Sequence, residues 1–472
     1  MQSVWTEKIK NWIAAHREEM IADIVKLVRI KSVSDASSPI KPYGQGCLDA
    51  LHEMLHMAEG YGFAVKNYSD IIGEIDLGYD GEDISFWGHL DVVPEGSGWD
   101  YPPYEGIVEH GLIIGRGAQD NKGQTVAVLY VMRCIKELGI PLKHNLKLFV
   151  GTNEEAGMND LTWFLEHYPA PPFSIIADSN YPVCFGEKGI VTARFTGPAL
   201  SENVMDIWGG VSTNVVPEKA GATVRATAQL QQSLDILRQT LTVEQTENGY
   251  SLLAAGSAGH TAFPQHTVNA IHILTHALCE SNALLPEDTR ILSFFDRIND
   301  DCYGTALGID FEDDVSGKLT CVGSMIGMQD GAPVLTINIR YPVTGEIDGI
   351  LEKLQTAADD AGFKLTLSQV DPAHYFPKEH PVVDILTNVF CDITGLDQKP
   401  FVLPGGTYSR KLKHAISFGM GFTGEDHPDR KGYFRPGHGG AHGADESTVI
   451  EQLLLSIRIY AEGLLAIDDL DL

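Results

Sequence analysis

Apolar runs that end on a histidine or a carboxylate constrain this chain more than anything in its composition. Four segments, DISFWGHLDVV, LIIGRGA, LKLFVGTNEE and FSIIADSN, read as buried strands, with TVAVLYVMRCIKELG and LTWFLEHY as helices between them. Such alternation predicts an α/β fold with a largely parallel mixed sheet flanked by helices. In these sheets ligands bind beyond the carboxyl ends of the strands. Three of the runs end there on candidate ligands: His89 with Asp91, Glu154 with Glu155, and Asp178. Side chains two apart on a strand share a face, so His89 and Asp91 look out together, where an imidazole can bind a metal and a carboxylate can orient it. A buried histidine satisfied by an acidic turn residue would leave the same local pattern.

The chain is 472 residues long, which predicts roughly two to three domains. Two helical patterns come first, one ending near Ile30 and one from about Gly46 to Glu59. From about Gly189 the style changes to alternating strands (IVTARFTG, GATVRATAQLQ, VLTINIRYPV) with single long helices around 268–280 and 346–361. This predicts an α+β domain over 189–377, inserted as a lid between 1–188 and 378–472, which together make the outer domain. The last part should hold a helix near 382–394, the strand AISFGMGF, a glycine- and histidine-rich loop and a closing helix from about Glu446.

The formal net charge is −30, from 34 Lys and Arg against 64 Asp and Glu. That balance argues against nucleic acid or an anionic membrane as a partner, since either needs a basic surface. The N-terminal stretch has charges at every turn and no signal-like apolar segment. No run reaches the roughly 18 apolar residues of a membrane span. Seven cysteines form no CxxC pair, which points to a reduced, cytoplasmic protein.

Three further segments could carry chemistry. Gly115 to Gly123 (GRGAQDNKG) lacks the GK[ST] ending of a phosphate loop, and its Asp120 sits where either a helix cap or a ligand belongs. Glu154 and Glu155 close an apolar strand, and two carboxylates there need a cation nearby to avoid raising each other's pKa. His442 lies in AHGADE. Two histidines with several carboxylates and no thiolate suit zinc, manganese or cobalt.

GHLDVVP, GRGAQDNKG, GTNEEAG, the Asp178 strand followed by GEKG, and AHGADE stand in the order seen in the M20 metallopeptidases. The chain resembles that family's dipeptidase-like branch over essentially its whole length. The resemblance implies two divalent ions, zinc first and manganese or cobalt next. Asp120 would bridge them, with His89 and Asp178 on one ion and Glu155 and His442 on the other. Asp91 would hydrogen-bond His89, and Glu154 would be the general base that deprotonates a shared water for attack on the amide. His260, in GHTAFPQHTVNA, would reach the scissile carbonyl, although Phe263 and Thr267 stand where smaller residues are usual. Asn214, Arg340 and the Gly406–Thr407 part of PGGTY would grip a free C-terminal carboxylate.

The implied activity is hydrolysis of dipeptides or short peptides with a free C-terminus, by a monomer whose long lid supplies His260 itself. Hydrolysis of N-acyl or succinylated amino acids is the alternative within the enzyme class. A non-catalytic peptide or metal binder on the same fold is the alternative outside it. Two other histidine patterns compete for the metal. His52-Glu53-Met54-Leu55-His56 is a literal HExxH, but His52, Glu53 and His56 share the polar face of a helix whose apolar stripe is Leu48, Leu51, Leu55 and Ala58. His272 and His276 repeat the spacing and read the same way, as a solvent-facing stripe. His438, four residues before His442, lacks the acidic pair that follows it.

Overall fold

A computed structural model describes residues 4–422, 430 and 432–472; the first three residues and part of the glycine- and histidine-rich loop, 423–429 and 431, lie outside the described residues. The chain divides into two compact units, Met1–Gly186 with Tyr375–Phe401 and Gly406–Leu472, and Glu187–His374 with Val402–Gly405.

The first unit is built on a mixed sheet. Its central strands run in the order Asn145–Gly151, Asp83–His89, Phe173–Ile176 and Ala415–Phe418, and all three of these pairings are parallel. Antiparallel strands Ile72–Asp76 and Ala64–Tyr68 extend one edge. The Asp83–His89 strand is buried from Ile84 to His89 because both faces are covered, as parallel strands require. Trp87 is fully buried and stacks on Phe149 with ring centroids 4.5 Å apart. Helices Thr6–Val28, Lys122–Leu138 and Ile450–Ile467 pack on one another against this layer. Register aligns His89 with Gly151 and Trp87 with Ile176, so His89, the Glu154 turn and Asp178 leave the sheet at the same edge.

LIIGRGA does not join that sheet. Its strand Leu112–Ile114 lies in a separate antiparallel sheet with Ile107–Glu109 and Ser447–Val449. His110 and Gly111 have φ of 50° and 75°, the two left-handed positions of a tight hairpin, so local pairing wins.

The second unit has one eight-stranded antiparallel sheet, in the order Thr242–Gln245, Gly249–Ala255, Lys219–Arg225, Val204–Gly209, Thr320–Gln329, Ala332–Tyr341, Gly189–Thr196 and Lys364–Asp371. Helices Ala270–Glu280 and Ile347–Ala361 coincide with the two expected runs. Two more helices were not anticipated. GATVRATAQLQ is a strand only to Arg225, because the Thr227 hydroxyl accepts a hydrogen bond from Leu230 N at 3.1 Å and starts the helix Ala228–Leu237. Pro286–Ile298 is helical from a first-turn proline with Glu287 and Asp288 beside it. No helix among the described residues is long and apolar enough to cross a membrane.

Candidate active site

Side chains from three strand ends and two loops converge in the first unit. His89, the last residue of its strand, is fully buried. Its Nε2 lies 3.1 Å from Asp120 Oδ1 and 3.4 Å from Asp178 Oδ2. His442 Nε2 lies 3.1 Å from the other Asp120 oxygen and 2.9 Å from Glu155 Oε1. Asp120 therefore turns one oxygen to each imidazole. His442 has φ of 62°, a left-handed conformation that costs a non-glycine residue about 1–3 kcal/mol and persists only where the surroundings enforce it.

Asp91 meets His89 differently from the expected carboxylate contact. The closest group to His89 Nδ1 is the Asp91 main-chain carbonyl at 2.9 Å, with the carboxylate at 3.5 Å. That carboxylate accepts hydrogen bonds from Glu154 N at 3.0 Å and Glu155 N at 3.1 Å. It thus holds the GTNEE turn as well as the imidazole. Glu154 is only 9% exposed.

The electrostatics call for a cation. Burial, together with Asp178, Glu155 and Asp91, pushes the Glu154 carboxyl well above the carboxylate range, although His89 pulls the other way. Burial and Asp120 also raise Asp178, and burial raises Glu155. Burial opposes charge on His89, but Asp120, Asp178 and Asp91 outweigh it and raise its pKa. Five carboxyl groups, Asp91, Asp120, Glu154, Glu155 and Asp178, stand in the cluster against two imidazoles. One donor atom each from His89, Asp120 and Glu155 lie within 4.8 Å of one another. Imidazole nitrogens and carboxylate oxygens without a thiolate fit a zinc-, manganese- or cobalt-type ion.

Two residues without a role in the sequence reading hold this arrangement. Asn121 is fully buried. Its amide donates to Ala177 O and Asp178 Oδ1, both at 2.9 Å, and its oxygen accepts from His89 N at 3.3 Å. Gly88 makes room for it, since a Cβ there would lie 2.8 Å from Asn121 Oδ1 and 2.3 Å from Thr125 Oγ1. Glu446 accepts from the backbone N–H of Gly117, Gln119 and Asp120, each at 3.0 Å, and pairs with buried Arg116. Their only signal in the sequence was the presence of an amide and an acid inside DNKG and ADE, next to the ligands rather than among them.

Asn214, His260 and Arg340 form their own cluster in the second unit. His260 is exposed on Gly259–His260, whose partner strand is Val215–Val216. Partial desolvation of its ring by the surrounding loop, and the Arg340 charge, hold its pKa below the usual histidine value. Thr261 N donates to Asn214 O at 3.0 Å, and Asn338 Oδ1 accepts from both Thr261 Oγ1 and Arg340 Nε, at 2.8 and 3.0 Å. Gly406 and Thr407 belong to the first unit; the buried Thr407 hydroxyl caps the short helix Tyr408–Lys411. His438 pairs with Asp445 at 2.5 Å, while exposed His52 hydrogen-bonds Asp70 at 3.0 Å and exposed His56 lies on the same helix face.

The Peptidase family M20/M25/M40 profile matches residues 86–466. The Bacillus subtilis (strain 168) protein YtjP is 30% identical over 96% of this chain and 99% of its own length. Beta-Ala-Xaa dipeptidase of Lactobacillus delbrueckii subsp. lactis is 29% identical over 96% of this chain and 97% of its own. At the level of fold, human carnosine dipeptidase 1 superposes with a TM-score of 0.60 at 15% identity, covering 99% of this chain and all of that one. With the profile spanning both units and every strand-end ligand inside it, the chain belongs to the M20/M25/M40 family and is a metallopeptidase.

Proposed function

We propose that this peptidase hydrolyses dipeptides, or short peptides with a free C-terminus, using two divalent ions, most simply zinc. The observation that carries the reading is Asp120, whose two oxygens each lie 3.1 Å from a different imidazole beside the buried Glu154. His89 and Asp178 would hold one ion, Glu155 and His442 the other, and Asp120 both. Bound there, the ions supply Lewis acidity to the scissile carbonyl and to a water.

The chain's own residues do the rest. Glu154 takes the water's proton at its carboxylate and returns it to the departing amine, a shuttle for which a burial-raised pKa is suited. Asp91 keeps the Glu154 turn and His89 in register. His260 donates to the oxygen that gains charge, and Arg340 with Asn214 grips the substrate carboxylate, helped by Gly406 and Thr407 through their loop. The second unit is in this reading the lid of a cytoplasmic monomer, in keeping with seven cysteines that form no disulfide. The dipeptide preference draws on the Beta-Ala-Xaa dipeptidase relative.

Glu154→Gln should lower turnover of a dipeptide by about 10³-fold while bound metal stays at the wild-type level. Unchanged turnover would refute the assignment, and exclusive cleavage of N-acyl amino acids by the wild type would refute the substrate class.

A further inference from the structure

His272 and His276 sit one turn apart on the Ala270–Glu280 helix, and their spacing alone suggested a solvent-facing stripe. The neighbouring helix changes that reading. Asp296, on Pro286–Ile298, reaches both rings: its Oδ1 is 3.4 Å from His272 Nδ1 and its Oδ2 is 3.3 Å from His276 Nδ1. One donor atom from each of the three residues lies within 4.8 Å of the others. We propose that His272, His276 and Asp296 form a further site for a divalent transition-metal ion such as zinc, which cross-links the two helices of the second unit.

Distance is the first argument. An ion about 2.0–2.2 Å from each ligand in a tetrahedral shell separates the ligands by about 3.3–3.6 Å. Each imidazole nitrogen lies that far from its own Asp296 oxygen, His272 3.4 Å from Oδ1 and His276 3.3 Å from Oδ2, so the carboxylate would meet the ion with both oxygens turned toward it. Both distances are long for a charge-assisted hydrogen bond, which prefers about 2.7–2.9 Å.

The second argument is an orphan atom. His272 Nδ1 is buried and has no hydrogen-bond partner, and leaving such an atom unsatisfied normally costs about 1–3 kcal/mol. Here it faces a carboxylate oxygen, and only a proton or a cation between them makes that contact favourable. The half-exposed His276 leaves the site reachable from solvent, with room for water as a fourth ligand. The Thr275 hydroxyl lies 3.3 Å from Asp296 Oδ1 and 3.0 Å from Ile271 O.

His52 and His56 are the internal control. They have the same spacing, yet among the described residues neither belongs to a group of three converging donors. Two imidazoles with one carboxylate select zinc, copper, nickel or cobalt over calcium or magnesium.

The site lies wholly in the second unit and does not depend on the peptidase reading, so the test counts ions rather than turnover. Chelator-stripped full-length protein is dialysed against buffered zinc, and zinc per chain is measured. His272→Gln/His276→Gln should bind one ion fewer than wild type, and Asp296→Asn should lose the same ion. Asp120→Ala should retain it, which separates failure here from failure at the other cluster. Far-UV circular dichroism checks that each variant is folded. Wild-type zinc content in both the double histidine variant and Asp296→Asn would overturn the proposal, as would its loss from Asp120→Ala.

Discussion

The cluster at the strand ends and the one on the helix pair use the same donor types from opposite scaffolds. In the first unit, side chains as far apart in sequence as His89 and His442 are brought together through Asp120, and each belongs to a different element. In the second, both histidines come from one helix and the lone carboxylate from the next. The first arrangement concentrates acids that raise one another's pKa, so it is strained by its own charge until a cation arrives. The second has a single acid and little self-repulsion. A parallel sheet can gather a charged, costly constellation because its strand ends are rigid; a helix pair offers a cheaper site that the fold can also leave empty.

That contrast can be broken most decisively at Asp120. Asp120→Ala should abolish peptidase activity and strip the ions of the strand-end cluster, both followed by metal analysis with a turnover assay; retained activity would mean that the acids there are not the working site. His260→Ala should come next, lowering kcat by about 10²–10³-fold with the metal content unchanged, as expected for loss of one donor to a developing oxyanion.

A smaller effect concerns charge alone. Burial and Asp120 raise Glu446 to about 7 despite Arg116. A carboxyl with a raised folded pKa stabilises the fold fully below its ordinary value near 4.5, and that contribution is lost as pH rises through about 7. Metal-free wild type should therefore lose as much as about 3 kcal/mol more than Glu446→Gln between pH 4.5 and 7 in urea titrations. A parallel decline in both proteins would remove Glu446 as the cause. The smallest change belongs to His52→Ala/His56→Ala, which should hold stability within about 0.5 kcal/mol and zinc content at the wild-type level.

The strand-end ligands were legible because a buried strand tells its reader both its direction and where it stops. His89, Glu154, Glu155 and Asp178 could be set at one edge from periodicity and order alone, before any contact was known. Asn121 and Glu446 were not, because what they do is hydrogen-bond backbone and ligand groups brought close only by folding. Glu446 meets Asp120 N across more than 300 residues. Asp296 was missed for a different reason. Pro286, Glu287 and Asp288 mark the start of its helix, but no residue spacing says that this helix packs beside His272 and His276. The failure at LIIGRGA was likewise one of pairing: a short apolar run does not say whether its partner is the next strand or a hairpin.

The reach of Glu446 also sets a schedule. His442 and Glu446 lie on one short segment near the far end of the chain, and the loop carrying Asp120 is tied by its backbone to Glu446. A ribosome delivers that segment after every other ligand of the cluster. While the chain is being made, the His89 strand, the GTNEE turn and the Asp178 strand have all emerged, yet the loop between them lacks its clasp and one imidazole is still untranslated. A nascent chain therefore cannot assemble the full ligand set early, and a transcript cut short between Asp178 and this segment yields a polypeptide with the cluster's acids and no complete centre.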